Sequence, residues 1–163
     1  MSKPLGVGIV GAGPATQAIH LPTLATLGDR LQVVHIMDVN AEVGALVASR
    51  TGARSTTSVQ TLLEDPEVDV VAICSPGQFH AAQVEAATAA GKLAILSEKP
   101  LATTVEEAQL IADVSAKTSA RGRGCYVRLR SRCRSCPKIV GRPTGHRHPR
   151  VYRSVICRPM TIW

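Results

Sequence analysis

A run of six apolar residues, Leu5 to Val10 (LGVGIV), opens directly into Gly11-Ala12-Gly13-Pro14-Ala15-Thr16. This junction restricts the fold more than any other feature of the chain. A strand that is apolar at every position, not at alternate ones, has to be covered on both faces. The glycine turn then hands the chain to an Ala-rich stretch of helical period, so a helix must lie back on the sheet. The same order repeats along the chain. Further strands are expected at Leu31–Met37 (LQVVHIM), Val68–Ile73 (VDVVAI) and Leu93–Leu96 (LAIL). Helices are expected at Ala15–Leu27, kinked or broken by Pro22, at Ala41–Thr51, capped by Asn40 and closed by Gly52, and at Ser58–Glu64. Two more follow, Phe79–Ala90 and Val105–Ala116, the last opened by a Thr103-x-x-Glu106 capping box. Strand and helix in alternation define an α/β fold with right-handed crossovers, here a doubly wound parallel sheet of about five strands.

The turn reads Gly-x-Gly-x-x-Thr where a dinucleotide-binding turn has Gly-x-Gly-x-x-Gly. Gly11 permits the tight reversal. Gly13 leaves the backbone open to a pyrophosphate, which the N–H groups of Ala15 and Thr16 and the positive end of the helix would hold. Pro14 has no N–H and only shapes the turn. Thr16 takes the place of the third glycine, whose role is close helix–strand packing. Asp38 ends the second expected strand, where an acid accepts hydrogen bonds from the adenosine ribose hydroxyls and repels a 2′-phosphate. The chain has no Arg at 39 or 40, so NAD is expected in preference to NADP.

Ligands of open α/β sheets sit at the carboxyl ends of the strands. Two further loops belong there, Cys74-Ser75-Pro76-Gly77-Gln78-Phe79-His80 and Ser97-Glu98-Lys99-Pro100. Lys99 is either a solvated loop lysine or, held in place by Glu98, a hydrogen-bond donor or proton acceptor beside a substrate hydroxyl. His80 either contacts the nicotinamide end or the substrate, or is a polar residue in the first turn of a helix. Cys74 reads as a small buried hydrophobe, and His20 and His35 as structural residues of a helix and a strand.

Charge divides the chain. Residues 1–120 hold 7 Lys/Arg and 12 Asp/Glu, whereas residues 121–163 hold 12 Lys/Arg and no acid. Four of the five cysteines, Cys125, Cys133, Cys136 and Cys157, fall in the second part. The division is therefore 1–120, a dinucleotide-binding domain, and 121–163, a basic Arg/Cys-rich tail whose Pro, Gly and Arg content argues for disorder. No apolar run reaches the ~20 residues of a membrane span, and Met1-Ser2-Lys3-Pro4 does not open a secretory signal. A cytoplasmic protein without membrane partners is expected.

The segments VGIVGAGPATQAIHLPTL, LLEDPEVDVVAICSPGQFHAAQVEAATAAGK and SEKPLATTVEEAQ, taken together, resemble the glucose–fructose oxidoreductase / inositol dehydrogenase / rhizopine-catabolism (Gfo/Idh/MocA) family over roughly residues 4–118. The resemblance implies a Rossmann-type fold and an NAD(P)-dependent oxidoreductase that moves a hydride from a sugar, an inositol or a related polyol. It implies that Lys99 of Glu98-Lys99-Pro100 is the catalytic lysine, with Pro100 following a cis bond. It also implies that Ser75, Pro76 and His80 stand for the family's Thr-Pro-x-x-x-His loop and line the cofactor site. Gly77 departs from the family's usual Asn. The family's second domain, with its substrate pocket, second catalytic group and much of its oligomer interface, is not recognisable here. On this resemblance the chain is truncated or frame-shifted after about residue 120, and it is expected to bind NAD without appreciable turnover.

Three readings compete for the tail. Twelve cations with Tyr126 and Tyr152 would serve a nucleic-acid-binding arm, the rival function for the chain. Cys133-x-x-Cys136 with His146, His148 or Cys157 would serve zinc, but His-x-His is too tight and only one Cys-x-x-Cys pair exists, so no metal is expected. The preferred reading is a shifted frame. Arginine codons beginning CG become GNN codons one base later, and Arg121–Cys136 admits a back-translation that then reads AVVGAMYAYDPAADP, similar to the family's next strand.

Overall fold

The structure, a computed structural model, describes residues 3–120. The disorder, the zinc and nucleic-acid roles and the shifted frame expected for the tail all concern residues outside those described.

Five strands, β1 (Leu5–Val10), β2 (Leu31–Met37), β3 (Arg54–Thr56), β4 (Val70–Ile73) and β5 (Ala94–Ser97), form one sheet in the order β3-β2-β1-β4-β5. Every pairing is parallel. The chain starts in the middle of the sheet and winds outward in both directions, so the connections after β1 and β4 diverge at one edge. That divergence opens the crevice in which such folds bind ligands. One face carries α1 (Leu21–Ala25) and α2 (Ala41–Ser49) over Val7, Ile9, Ile36 and Ala72. The other carries α3 (Val59–Glu64), α4 (His80–Ala89) and α5 (Val105–Ala120) over Val10, Ile73 and Ile95. Ile9, Ile36 and Ile73 are wholly buried, each contributing about 1.5–3 kcal/mol of apolar burial. The Rossmann-type doubly wound sheet expected from the sequence is the fold observed.

The differences have local causes. β3 is polar, half exposed and three residues long, so it carries no apolar signal. Helix capping at residue 105 is offset by one position: Thr104 Oγ1 accepts from Glu107 N at 3.2 Å, and Glu107 Oε2 accepts from Thr104 N at 3.2 Å. The box is thus Thr104-x-x-Glu107, not Thr103-x-x-Glu106. The helix expected over Ala15–Leu27 begins with a widened π turn, Thr16–His20, and continues as α1. Pro22 has no N–H for the carbonyl of Ala18, and its ring would collide with it. Widening the preceding turn, so that Leu21 N reaches back to Thr16 O, relieves that collision.

Between Val7 and Gly8 the β1–β2 register slips, leaving Val34 as an extra residue in β2. Val33 and Ile36 therefore share a face, and His35 turns to the α3 side. There its Nδ1 lies 2.7 Å from Asp65 Oδ2, and Arg54 Nη2 reaches the same oxygen at 2.5 Å. Burial pushes the Asp65 carboxyl upward, but the Glu67 N–H, His35 and Arg54 hold it below the ordinary value of 3.8. This cluster ties β2, β3 and the end of α3 together at the sheet edge away from the crevice.

Candidate functional site: a dinucleotide crevice

The glycine turn is fixed from several sides. Gly11 has φ +96°, and a Cβ there would stand 2.9 Å from the carbonyl carbon and oxygen of Cys74 and from Ser75 N. Gly11 N donates to Met37 O at 2.7 Å. Thr16 is wholly buried, and its Oγ1 donates to Gly11 O at 2.5 Å. Gln17 Nε2 donates to Ala12 O at 2.8 Å. Both carbonyls of the turn are thereby engaged by side chains of the following helix. The first helical hydrogen bond is Gln17 N to Gly13 O at 3.1 Å, so the N–H groups of Ala15 and Thr16 precede it and have no intrahelical acceptor. A Cβ on Gly13 would meet nothing within 4 Å. Open space over the turn, donors without helical partners and a helix start are what a pyrophosphate requires.

Asp38 stands one residue beyond β2 and reaches across to this turn. Its Oδ2 accepts from Ala12 N at 2.7 Å, and its Oδ1 accepts from Asn40 N at 2.9 Å. Each carboxylate oxygen keeps a further lone pair, so the group still has acceptor sites for a ribose diol.

The β4 end is held from below. Cys74 N donates to Val10 O at 2.7 Å. Burial pushes the Cys74 thiol up to about 11, so at neutral pH it is a protonated, unreactive thiol. Ser75 Oγ donates to Gln83 Oε1 at 2.6 Å. His80 is wholly buried, with Nε2 2.7 Å from Ser75 O and Nδ1 without a partner. Its hydrogen bond is thus with the loop above it, not with the open crevice.

The β5 end places Glu98, Lys99 and Pro100 beside that loop. Glu98 N donates to Ile73 O at 2.9 Å, and the Lys99–Pro100 peptide is cis. Lys99 is exposed. Both oxygens of Glu98 are engaged, Oε1 by His20 Nε2 at 2.8 Å and Oε2 by Lys99 N at 3.0 Å. Burial pushes this carboxyl upward, while the Lys99 N–H, His20 and the Lys99 charge hold it below its ordinary 4.5. A Cβ on Gly77 would lie 3.0 Å from Pro100 Cγ, so the two loops touch.

The structure thus gathers Gly11, Gly13, Pro14, Ala15, Thr16, Asp38, Ser75, Pro76, Glu98, Lys99 and Pro100 along one edge, with His80 underneath. The Thr16 side chain faces inward, leaving only its N–H for a ligand. Two residues were missed by sequence reasoning. Gln17 closes the turn, and His20 meets Glu98 across 78 positions of sequence. The available signal was spacing: His20 follows Thr16 by one helical turn and Gln17 sits directly after it.

Fold and crevice define a nicotinamide-dinucleotide-binding Rossmann domain. The model of the Gfo/Idh/MocA oxidoreductase family, described as an NAD-binding Rossmann fold, matches residues 5–123, and the chain belongs to that family. Inositol 2-dehydrogenase 3 of Saccharopolyspora erythraea is 38% identical over 117 residues, 72% of this chain and 33% of that protein. The WlbA dehydrogenase of Bordetella pertussis, solved with NADH and UDP-GlcNAcA, superposes with a TM-score of 0.68 at 28% identity, over 78% of this chain and 36% of that one. A 3-ketoreductase of Actinomadura kijaniata, solved with NADP and TDP-benzene, gives 0.68 at 28%, over 78% and 37%. The chain spans about a third of the length of these relatives. Among the described residues no helix is long and apolar enough to cross a membrane.

Proposed function

We propose that the chain binds NAD(H), in preference to NADP(H), as the cofactor half of a dehydrogenase acting on a secondary alcohol of a sugar, inositol or related polyol. The observation that carries this reading is the Asp38 carboxylate, held 2.7 Å from the Ala12 N–H across the mouth of the glycine turn. There it accepts the ribose hydroxyls and repels a 2′-phosphate. The N–H groups of Ala15 and Thr16 hold the pyrophosphate. Ser75 and Pro76 form the wall between the two ends of the dinucleotide, and His80 fixes that wall through the Ser75 carbonyl. Bound nicotinamide supplies the hydride acceptor. Lys99 Nζ takes up or shares the hydroxyl proton of the alcohol. Glu98 and Pro100 hold Lys99 in place.

Titration calorimetry of NADH and NADPH on the wild type and Asp38→Ala tests the reading. Loss of a charge-assisted pair should weaken NADH about tenfold or more and narrow the preference over NADPH. An unchanged NADH affinity in a variant that melts like the wild type removes Asp38 from the site.

A further inference from the structure

His20 is the side chain in the crevice for which the dinucleotide reading leaves no task. It closes the widened turn that follows the glycine loop, and its Nε2 is 2.8 Å from Glu98 Oε1. Both side chains are largely buried, with 14% and 22% of their surface exposed. We propose that His20 is a positioning residue for Lys99. Through the Glu98 carboxylate it ties the helix that receives the pyrophosphate to the loop that presents the lysine.

Glu98 is the link between the two. Its N–H extends the β4–β5 ladder by one bond, so the backbone at 98 is set by the sheet. Its carboxylate then folds back onto the N–H of its own successor, Lys99. That conformation leaves the carboxylate's other oxygen to find a donor in a partly buried place, where an unpaired charge is costly. His20 is that donor. Without it the carboxylate gains by swinging to water or taking up a proton, and either change releases the Lys99 N–H. The charged and titratable groups around the carboxylate are His20 from the widened turn, Lys99 from the same loop, and the protonated Cys74 thiol from the β4 end. Glu98 is largely buried and Lys99 exposed, so Lys99 is the member of the loop that faces outward.

This inference rests on the reading that Lys99 stands at the nicotinamide end. The test is NADH binding by fluorescence titration on the full chain, with melting curves alongside, for His20→Ala, Lys99→Ala, the double variant and His20→Gln. Each alanine variant should weaken NADH about fivefold, and the double variant should be no weaker than Lys99→Ala alone. His20→Gln places an amide N–H near the former Nε2 and should recover most of the loss. Losses that multiply to about twenty-five-fold in the double variant, or a His20→Gln as weak as His20→Ala, overturn the proposal. Where His20→Ala does not fold, Glu98→Gln takes its place: a neutral amide of the same shape cannot accept from both donors, and the same non-additivity with Lys99→Ala is expected. A Lys99→Ala that binds NADH like the wild type, beside an Asp38→Ala that does not, overturns this inference with the role given to Lys99 and leaves the dinucleotide reading standing.

Discussion

The two glycines of the turn should respond to the same substitution in opposite ways. Gly11→Ala puts a methyl group where φ is +96° and where the carbonyl carbon and oxygen of Cys74 and the nitrogen of Ser75 all stand 2.9 Å away. The left-handed backbone alone costs an alanine about 1–2 kcal/mol. The contacts are with backbone, not with the end of a flexible side chain. That backbone is pinned by Cys74 N to Val10 O at 2.7 Å, so it has little freedom to withdraw. Overpacking of that kind costs about 1–3 kcal/mol more. The sum, about 2–5 kcal/mol, is a large part of the stability of a small domain. It corresponds to a melting temperature lower by about 10–20 °C. Gly13→Ala meets nothing within 4 Å and has no positive φ to relieve. Its stability should be unchanged or raised by up to about 1 kcal/mol, because alanine has less unfolded-state freedom to lose. Its NADH affinity should fall by at least about tenfold, because the methyl group occupies space the pyrophosphate needs. Calorimetric melting and NADH titration of both variants separate the two effects. If Gly13→Ala melts as early as Gly11→Ala, the space over the turn is not open. If it melts normally and binds NADH normally, the pyrophosphate does not lie there.

Thr16→Val keeps shape and removes the 2.5 Å bond to Gly11 O at a wholly buried position; it should lower stability by about 1–2 kcal/mol, read in a urea titration, and a variant as stable as the wild type would show that the hydroxyl is not needed. Asp65 has its carboxyl held below 3.8, so its contribution is complete above that pH and fades as pH falls through the lowered folded value. Asp65→Asn should therefore be the less stable protein at neutral pH, with the gap closing below about pH 4; a gap that stays constant down to pH 2 would place the carboxylate's role elsewhere.

Much of the fold is legible from apolar runs because a doubly wound sheet covers its central strands on both faces. LGVGIV, LQVVHIM and VDVVAI read as buried strands for that reason. β3 does not, since Arg54-Ser55-Thr56 is a half-exposed edge whose place is set by hydrogen bonds to β2 and by Arg54 reaching Asp65. Periodicity also fails where two elements compete locally. Thr103 and Thr104 are followed by Glu106 and Glu107, so both possible capping boxes exist in the sequence, and only the geometry of the helix start selects the second. Pro22 announces a break without saying how it is accommodated; the widened turn at Thr16–His20 depends on where the helix must lie to cover Val7 and Ile9.

The candidate site divides in the same way. Gly11, Gly13 and Asp38 are legible because a backbone turn and a strand end are local features whose chemistry follows from residue type. The links between loops are not, because each joins positions far apart in sequence. Thr16 replaces a glycine whose task is close packing, yet its hydroxyl supplies a bond to Gly11 O that glycine cannot make, and its methyl group fits without exposure. Gly77 replaces the family's usual Asn, and a Cβ there would stand 3.0 Å from Pro100 Cγ. Restoring a side chain at 77 would thus require the Lys99–Pro100 loop to yield by a few tenths of an ångström. The two departures from the family pattern act on different contacts, one inside the glycine turn and one between the strand-end loops. The second touches the loop that carries Lys99. The strand-end loops are braced by His20, which reaches Glu98, and by Gly77, which packs on Pro100, so a change at either acts on residues that the sequence places on another element.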